Sequence, residues 1–330
     1  MKFKEFIGID VSKATLDVFL YCKQLHAQFD NNKLGFRKMI KWIKQQSQSK
    51  DDEILFAFEH TGLYSLNLSL FLDEHQYAFT IISGLELKRS RGIKRGKNDK
   101  IDAKEIAGYA YEKKDRIRLY QMPSETILKL KRLTSYRERL VRDRAAFKNR
   151  LKGYKTFLDS AERSQLIDSN KRMINALTEE IKTIESELYS LIKKDQKLLR
   201  QFKLINTVKC VGPQTALMMI ILTDGFTRFE TWRKFSSYAG IAPFPNESGT
   251  YKGKARISQL ANKRIKTLLS CCANCAIQYS PEMRIYFTAR TGEGKNEMST
   301  LNIIRNKLLS RIFAVVRRGT PYVDTYRFAA

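Results

Sequence analysis

Apolar positions in the first 82 residues come in short runs with two different periods. Residues 5–11, with Phe6, Ile7, Ile9 and Val11, read as a buried strand, and 16–20 as its hairpin partner. Residues 33–48 place Phe36, Met39, Ile40, Trp42 and Ile43 at helical spacing. The continuous run 54–59 is a short strand ended by Thr61-Gly62, a helix follows over 63–74, and 77–82 is a further strand. A hairpin followed by strands alternating with helices predicts a mixed α/β sheet.

The pattern then changes. Residues 84–98 carry Lys88, Arg89, Arg91, Lys94, Arg95 and Lys97 with little apolar content, which reads as a mobile basic loop. Such a run is either a solvated charge stretch or a clamp for phosphates. Ile101, Ala103, Ile106, Ala107, Tyr109 and Ala110 then sketch a helix to about Glu112, and Pro123 marks a boundary.

Residues 124–202 are nearly free of Gly and Pro and predict two long helices, the first over about 125–158. Polar residues 159–171 are expected to hold the turn. In the second helix Ile174, Leu177, Ile181, Ile184, Leu188 and Leu191 form a heptad seam. It fits packing within the chain or a dimerising coiled coil equally well.

In the last third, Val211-Gly212-Pro213 before a helical stretch resembles a helix-hairpin-helix, whose exposed amides can hold a phosphate. Residues 230–244 read as an apolar helix and loop, and 246–251 as a polar Gly turn. Lys252, Lys254 and Arg256 follow, with apolar and basic helices over 267–278 and 300–318. The boundaries implied are 1–123, 124–202 and 203–330, the last mainly α.

Composition narrows the partners. Lys and Arg number 61 against 34 Asp and Glu, a net charge of +27 that a polyanion would neutralise, and nucleic acid is the usual one. No apolar run is long enough for a membrane span, and the N-terminus lacks an apolar signal core. Five sparse cysteines suit reduced thiols in a cytoplasm; Cys272 and Cys275 read as a buried helix face rather than a zinc site.

Against this basic background four acids are conspicuous. Asp10 interrupts one strand run, Glu59 closes another, and Asp99 and Asp102 stand three apart on a predicted helix face. Gathered carboxylates suit a hard divalent cation, Mg²⁺ or Mn²⁺, and one or two such ions can drive phosphoryl transfer. Asp99 alone also fits a plain helix cap, and Ser248, in the turn Asn246-Glu247-Ser248-Gly249, fits a plain turn residue.

Several motifs resemble a known family. Gly8-Ile9-Asp10-Val11-Ser12-Lys13, Glu59-His60-Thr61-Gly62-Leu63-Tyr64 and Lys97-Asn98-Asp99-Lys100-Ile101-Asp102-Ala103 are similar to the DEDD transposases of the IS110 insertion-sequence family. Cys210-Val211-Gly212-Pro213-Gln214-Thr215-Ala216 and Phe235-Ser236-Ser237-Tyr238-Ala239-Gly240-Ile241-Ala242-Pro243, with Glu247-Ser248-Gly249, extend the likeness nearly to the end. His60 departs from the small residue common after the Glu.

The resemblance implies an RNase H-like, resolvase-type domain over 1–123, a coiled-coil oligomerisation segment over 124–202 and a C-terminal transposase domain over 203–330. It implies metal ligands Asp10, Glu59, Asp99 and Asp102, a nucleophile at Ser248, and a structured bridge RNA that pairs with donor and target DNA. A homodimer becoming a tetramer on DNA is expected, with no membrane partner. The alternative is a structure-specific, junction-resolvase-like nuclease that uses the same acids and water.

Overall fold

The computed structural model describes residues 3–90, 98–157 and 160–324. They form two compact units that divide between Met122 and Pro123.

The first unit is built on a five-stranded sheet of order β3-β2-β1-β4-β5, comprising β1 (Glu5–Val11), β2 (Thr15–Leu20), β3 (Leu25–Asp30), β4 (Ile54–Glu59) and β5 (Ala78–Ile82). β1, β2 and β3 are joined antiparallel, whereas β4 runs parallel to both β1 and β5. This is the mixed α/β sheet the alternation predicts. β4 is central and buried on both faces, so its sequence is a continuous apolar run rather than an alternating one.

Each face of the sheet has its own helices. Ile7, Ile9, Leu16, Val18, Phe56 and Phe58 pack against Phe36, Met39 and Ile43 of α1 (Lys33–Gln46) and Leu68 and Leu72 of α2 (Leu63–Glu74). The alternate residues Phe6, Leu55 and Ala57 share a cluster with Ile106 and Ala110 of α4 (Asp99–Glu112) and Leu87 of α3 (Gly84–Ser90). Phe19 meets Ala103 and Ala107.

Two features of this unit differ from the sequence reading. β3 was not predicted: Leu25, Ala27 and Phe29 do alternate with His26, Gln28 and Asp30, but the strand is a short, largely exposed edge. Residues 84–90 are helical rather than loop: Leu87 is buried, and the Tyr109 hydroxyl of α4 donates to Glu86 Oε1 at 2.5 Å. Burial and that carboxylate push the Tyr109 phenol up to about 12. The rest of the expected basic loop, 91–97, lies outside the described residues.

The second unit opens with two long antiparallel helices, α5 (Glu125–Phe157) and α6 (Ser160–Lys194). Arg137 of α5 pairs with Glu185 of α6 at 2.6 Å, and Arg144 reaches Thr178, so numbering rises on one helix as it falls on the other. Helix α6 already runs from Ser160, so most of the polar stretch 159–171 is helix rather than turn. Polar residues there are compatible with a helix that leaves solvent-facing sides.

Within α6 the seam residues Ile181, Ile184 and Leu188 are buried in a cluster that includes Ile127, Leu130 and Leu140 of α5. Their burial therefore needs no second copy of the chain. The same cluster takes in α7 (Gln196–Asn206), α8 (Pro213–Thr223), α9 (Trp232–Tyr238), α10 (Lys263–Tyr279), α11 (Pro281–Gly292) and α12 (Glu297–Arg318). Between α9 and α10 the expected polar Gly turn is the tip, at Gly249 and Thr250, of a hairpin of β6 (Pro243–Ser248) and β7 (Tyr251–Ile257). β6 is exposed throughout, so it has no buried face to imprint a period of two on its sequence.

Candidate metal-binding carboxylate site

The site begins with a missing side chain. Gly8 of β1 faces α4, and a Cβ there would lie 2.1 Å from the Ala103 carbonyl oxygen and 2.7 Å from Ala107 Cβ. With Gly8 on the strand and Ala103 and Ala107 on the helix, the two backbones approach closely. The first turn of α4 is thereby laid beside the end of β1, where Asp10 follows two residues after Gly8 on the same face.

Asn98 caps α4, its side chain accepting from Lys100 N at 3.0 Å. Asp99 and Asp102 occupy the first turn, where the helix dipole favours negative charge. Asp99 is thus the first residue inside the helix, and Asn98 is the cap. Carboxylate oxygens of Asp10, Asp99 and Asp102 all lie within 4.8 Å of one another. Asp99 is exposed, Asp10 half-buried and Asp102 buried, so the cluster opens to solvent on one side. Three carboxylates this close repel one another, and their all-oxygen donor set is that of a hard divalent cation.

Glu59 is near this group but not in it. Phe58 pairs with Ile9 in the parallel register, so Glu59 ends β4 beside Asp10 on the adjacent strand. Its carboxylate leans on Gly84 at the start of α3, occupying space that any Cβ at position 84 would take: Glu59 Oε1 lies 2.1 Å from that point. The β4–α2 turn is set by local chemistry. Gly62 has φ 66°, which favours glycine, and its N–H donates to His60 Nδ1 at 3.2 Å. His60 therefore serves the turn.

A further acid sits in the same sheet and was passed over in the sequence as one polar position in a strand. Asp17 of β2 is the registered partner of Asp10 and is only 5% exposed. Its carboxylate accepts from His26 Nε2 at 2.9 Å and from Gln28 Nε2 at 3.0 Å. An observable pointer would have been the charge itself, an Asp within the apolar run 16–20.

The remaining sequence candidates are spread over both units. Lys88 and Arg89 end α3 and are exposed; Arg91, Lys94, Arg95 and Lys97 lie outside the described residues. Gly212 is the N-cap of α8, with Pro213 at its first turn and open space where a Cβ would stand, and a short turn joins α7 to α8 there. Ser248 is exposed at the end of β6, pairing with Tyr251 across a turn in which Gly249 has φ 54°. Lys252, Lys254 and Arg256 alternate along β7, with Lys252 opposite Glu247 and Arg256 opposite Phe244. Cys272 is buried with its sulfur 3.3 Å from Thr215 Oγ1, and Cys210 is pushed up to about 12 by burial and by neighbouring Cys275.

Among the described residues no helix is long and apolar enough to cross a membrane. Comparison with known proteins gives a consistent picture. A transposase model of the DEDD type of IS110 matches residues 7–161, and a model of the transposase IS116/IS110/IS902 family matches residues 202–288. The chain is 25% identical to the pilin gene-inverting protein of Moraxella bovis over 97% of its length and 98% of that protein's. It is also 26% identical, over 54% of each chain, to the transposase for insertion sequence element IS1111A of Coxiella burnetii. An IS110 protein of Streptomyces coelicolor is 24% identical over 48% of this chain and 38% of its own. Two models of one family thus cover well over half of a chain whose relatives include an insertion-sequence transposase and a gene-inverting protein, and the chain belongs to the IS110 family of DNA transposases.

Proposed function

We propose that this transposase cuts and rejoins DNA strands at a DEDD site formed by Asp10, Glu59, Asp99 and Asp102, with Mg²⁺ or Mn²⁺ as the cation. The observation that carries this reading is the convergence of Asp10, Asp99 and Asp102 from two elements, with carboxylate oxygens within 4.8 Å of one another. Glu59 would complete the set by turning from Gly84 toward Asp10. When bound, the cation supplies polarisation of the scissile phosphate and charge stabilisation of the leaving oxygen. The protein residues orient it: Asp10 from the sheet, Asp99 and Asp102 from the α4 first turn, all on the face that Gly8 brings together. The domain reading that goes with this is RNase H-like over 1–123, helical over 124–202 and transposase over 203–330.

Ser248 is the nucleophile in this reading. Its exposed position on a tight hairpin suits a hydroxyl that must reach a DNA backbone. Serine Oγ forms a bond to phosphorus, the bond from phosphorus to the 3′ oxygen breaks, and the Oγ proton leaves to solvent or a carboxylate. The products are a phosphoserine link and a strand with a free 3′-hydroxyl, whose return attack rejoins DNA without a new energy source. Inversion and transposition, the activities named for the relatives, both need such cutting and rejoining.

Sequence choice falls to a structured bridge RNA that pairs with donor and target DNA, while the protein binds backbones. A net charge of +27 suits so large a polyanionic load. The α8 N-terminus at Gly212, the exposed Lys88 and Arg89, the 91–97 basic residues Arg91, Lys94, Arg95 and Lys97, and β7 with Lys252, Lys254 and Arg256 are the phosphate contacts of this reading. It acts in the cytoplasm, as a homodimer that becomes a tetramer when two DNAs are joined.

The test is a strand-transfer reaction with purified protein, RNA and DNA. Cleavage should require Mg²⁺ or Mn²⁺, and a trapped reaction should give DNA bound to the peptide containing Ser248. Ser248→Ala should abolish that adduct and recombination while keeping nucleic-acid binding. Wild-type recombination by Ser248→Ala would leave water as the nucleophile and a metal-dependent nuclease as the better account.

A further inference from the structure

Asp10 and Asp17 face each other across an antiparallel pair, and that pairing is unfavourable by itself. Directly opposite residues share one face of a sheet, with Cβ atoms about 5 Å apart, and like charges in that position destabilise it. The face is the one under α4: Gly8 abuts Ala103 and Ala107, and Phe19, two residues after Asp17, clusters with the same two alanines. Asp17 is nevertheless buried, where an ionised carboxylate is costly without partners.

Its partners come from the edge strand. Gln28, the registered neighbour of Asp17 on β3, donates to Oδ2, and His26, the registered neighbour of Phe19, lies against Oδ1. Both oxygens are engaged, at 2.9 and 3.0 Å, so the carboxylate is fixed in place rather than free to turn away from Asp10. A neutral side chain such as Asn would serve strand pairing without the repulsion. The charge has an effect that a neutral group lacks: its repulsion disfavours placements of the Asp10 carboxylate over β2.

We propose that Asp17, clamped by His26 and Gln28, is a positioning residue for the cation site, a fixed negative charge beside Asp10 that biases its carboxylate toward Asp99 and Asp102 and strengthens cation binding. The inference rests on the carboxylate-site reading above and adds β2 and β3 to it. It assigns a use to His26 and Gln28, on a strand that otherwise only closes the sheet edge.

The experiment is a Mn²⁺ titration of the full chain without nucleic acid, following free Mn²⁺ by electron paramagnetic resonance, with thermal unfolding run in parallel. Asp17→Asn keeps the shape and removes the charge; cation affinity should fall about tenfold, the size typical of losing a partner behind a metal ligand. Asp10→Asn is the reference for loss of the site. Gln28→Met removes no carboxylate and should weaken binding in the same direction, by less than Asp17→Asn, by loosening the clamp; it replaces Asp17→Asn if that variant does not fold. Wild-type affinity in the folded Asp17→Asn or Gln28→Met protein, with Asp10→Asn defective, would overturn the positioning role and leave the site intact. Equal Mn²⁺ binding by wild type and Asp10→Asn would instead remove the carboxylate site, and this inference with it.

Discussion

Gly8 and Ala103 stand so close that a single added carbon on the strand residue would sit 2.1 Å from the helix carbonyl. The contact fixes where α4 lies, and α4 carries two of the three clustered acids. Gly8→Ala should therefore do two things at once. Overpacking at a backbone contact should destabilise the first unit by about 1–3 kcal/mol. Movement of α4 should also weaken cation binding at Asp10, Asp99 and Asp102. Denaturant unfolding and Mn²⁺ titration of the same variant check both; a destabilised protein with wild-type cation affinity would separate the helix contact from the site.

Tyr109 ties α4 to α3 through Glu86, and its raised phenol makes that tie sensitive to alkali. The folded protein holds the Tyr109 proton up to about 12, whereas the unfolded chain releases it near its ordinary value of 10. Below that ordinary value the contribution is fully present; between the two values the unfolded state binds fewer protons, so stability falls as pH rises. Wild type should lose more stability than Tyr109→Phe between about pH 9 and about pH 11.5. Equal losses in denaturant titrations would contradict the assignment.

The α6 seam should behave as an internal core. Ile184→Ala deletes a side chain buried against α5 and should destabilise the second unit by about 2–4 kcal/mol. The size of that effect should be the same at low and high protein concentration, because the covering helix is in the same chain. A destabilisation that grows on dilution would return the seam to a dimer interface.

How far the sequence disclosed all this depends on burial. β4 and α2 were legible to the residue, because a two-sided buried strand is a continuous apolar run and a left-handed Gly62 closes it. β6 was not, since an exposed strand has no buried face to leave an apolar period, and β3, though Leu25, Ala27 and Phe29 alternate, is too short and exposed an edge to stand out. Asp10 stands out from its place in an apolar strand run, and Asp99 and Asp102 from their shared helix face. Their juxtaposition does not: it depends on Gly8 meeting Ala103, residues 95 positions apart by subtraction of their numbers. Asp17 was hidden for the same reason, as only the strand register sets it opposite Asp10.

Lys88 and Arg89, exposed on the last turn of α3, should contact phosphates. Replacing both with Ala should lower the slope of log affinity against log salt by about 2, since each contact releases about one counterion. A fluorescence-anisotropy salt series on duplex DNA measures the slope; an unchanged value would exclude the pair from the interface.

A divalent cation should sit among Asp10, Asp99 and Asp102. A crystal of the protein grown with Mn²⁺ and measured at the manganese absorption edge tests it without any assay of activity. An anomalous peak is expected within about 2.2 Å of carboxylate oxygens from all three aspartates, absent in Asp10→Asn crystals. Strong anomalous peaks elsewhere on the protein, with none between β1 and the first turn of α4, would contradict it.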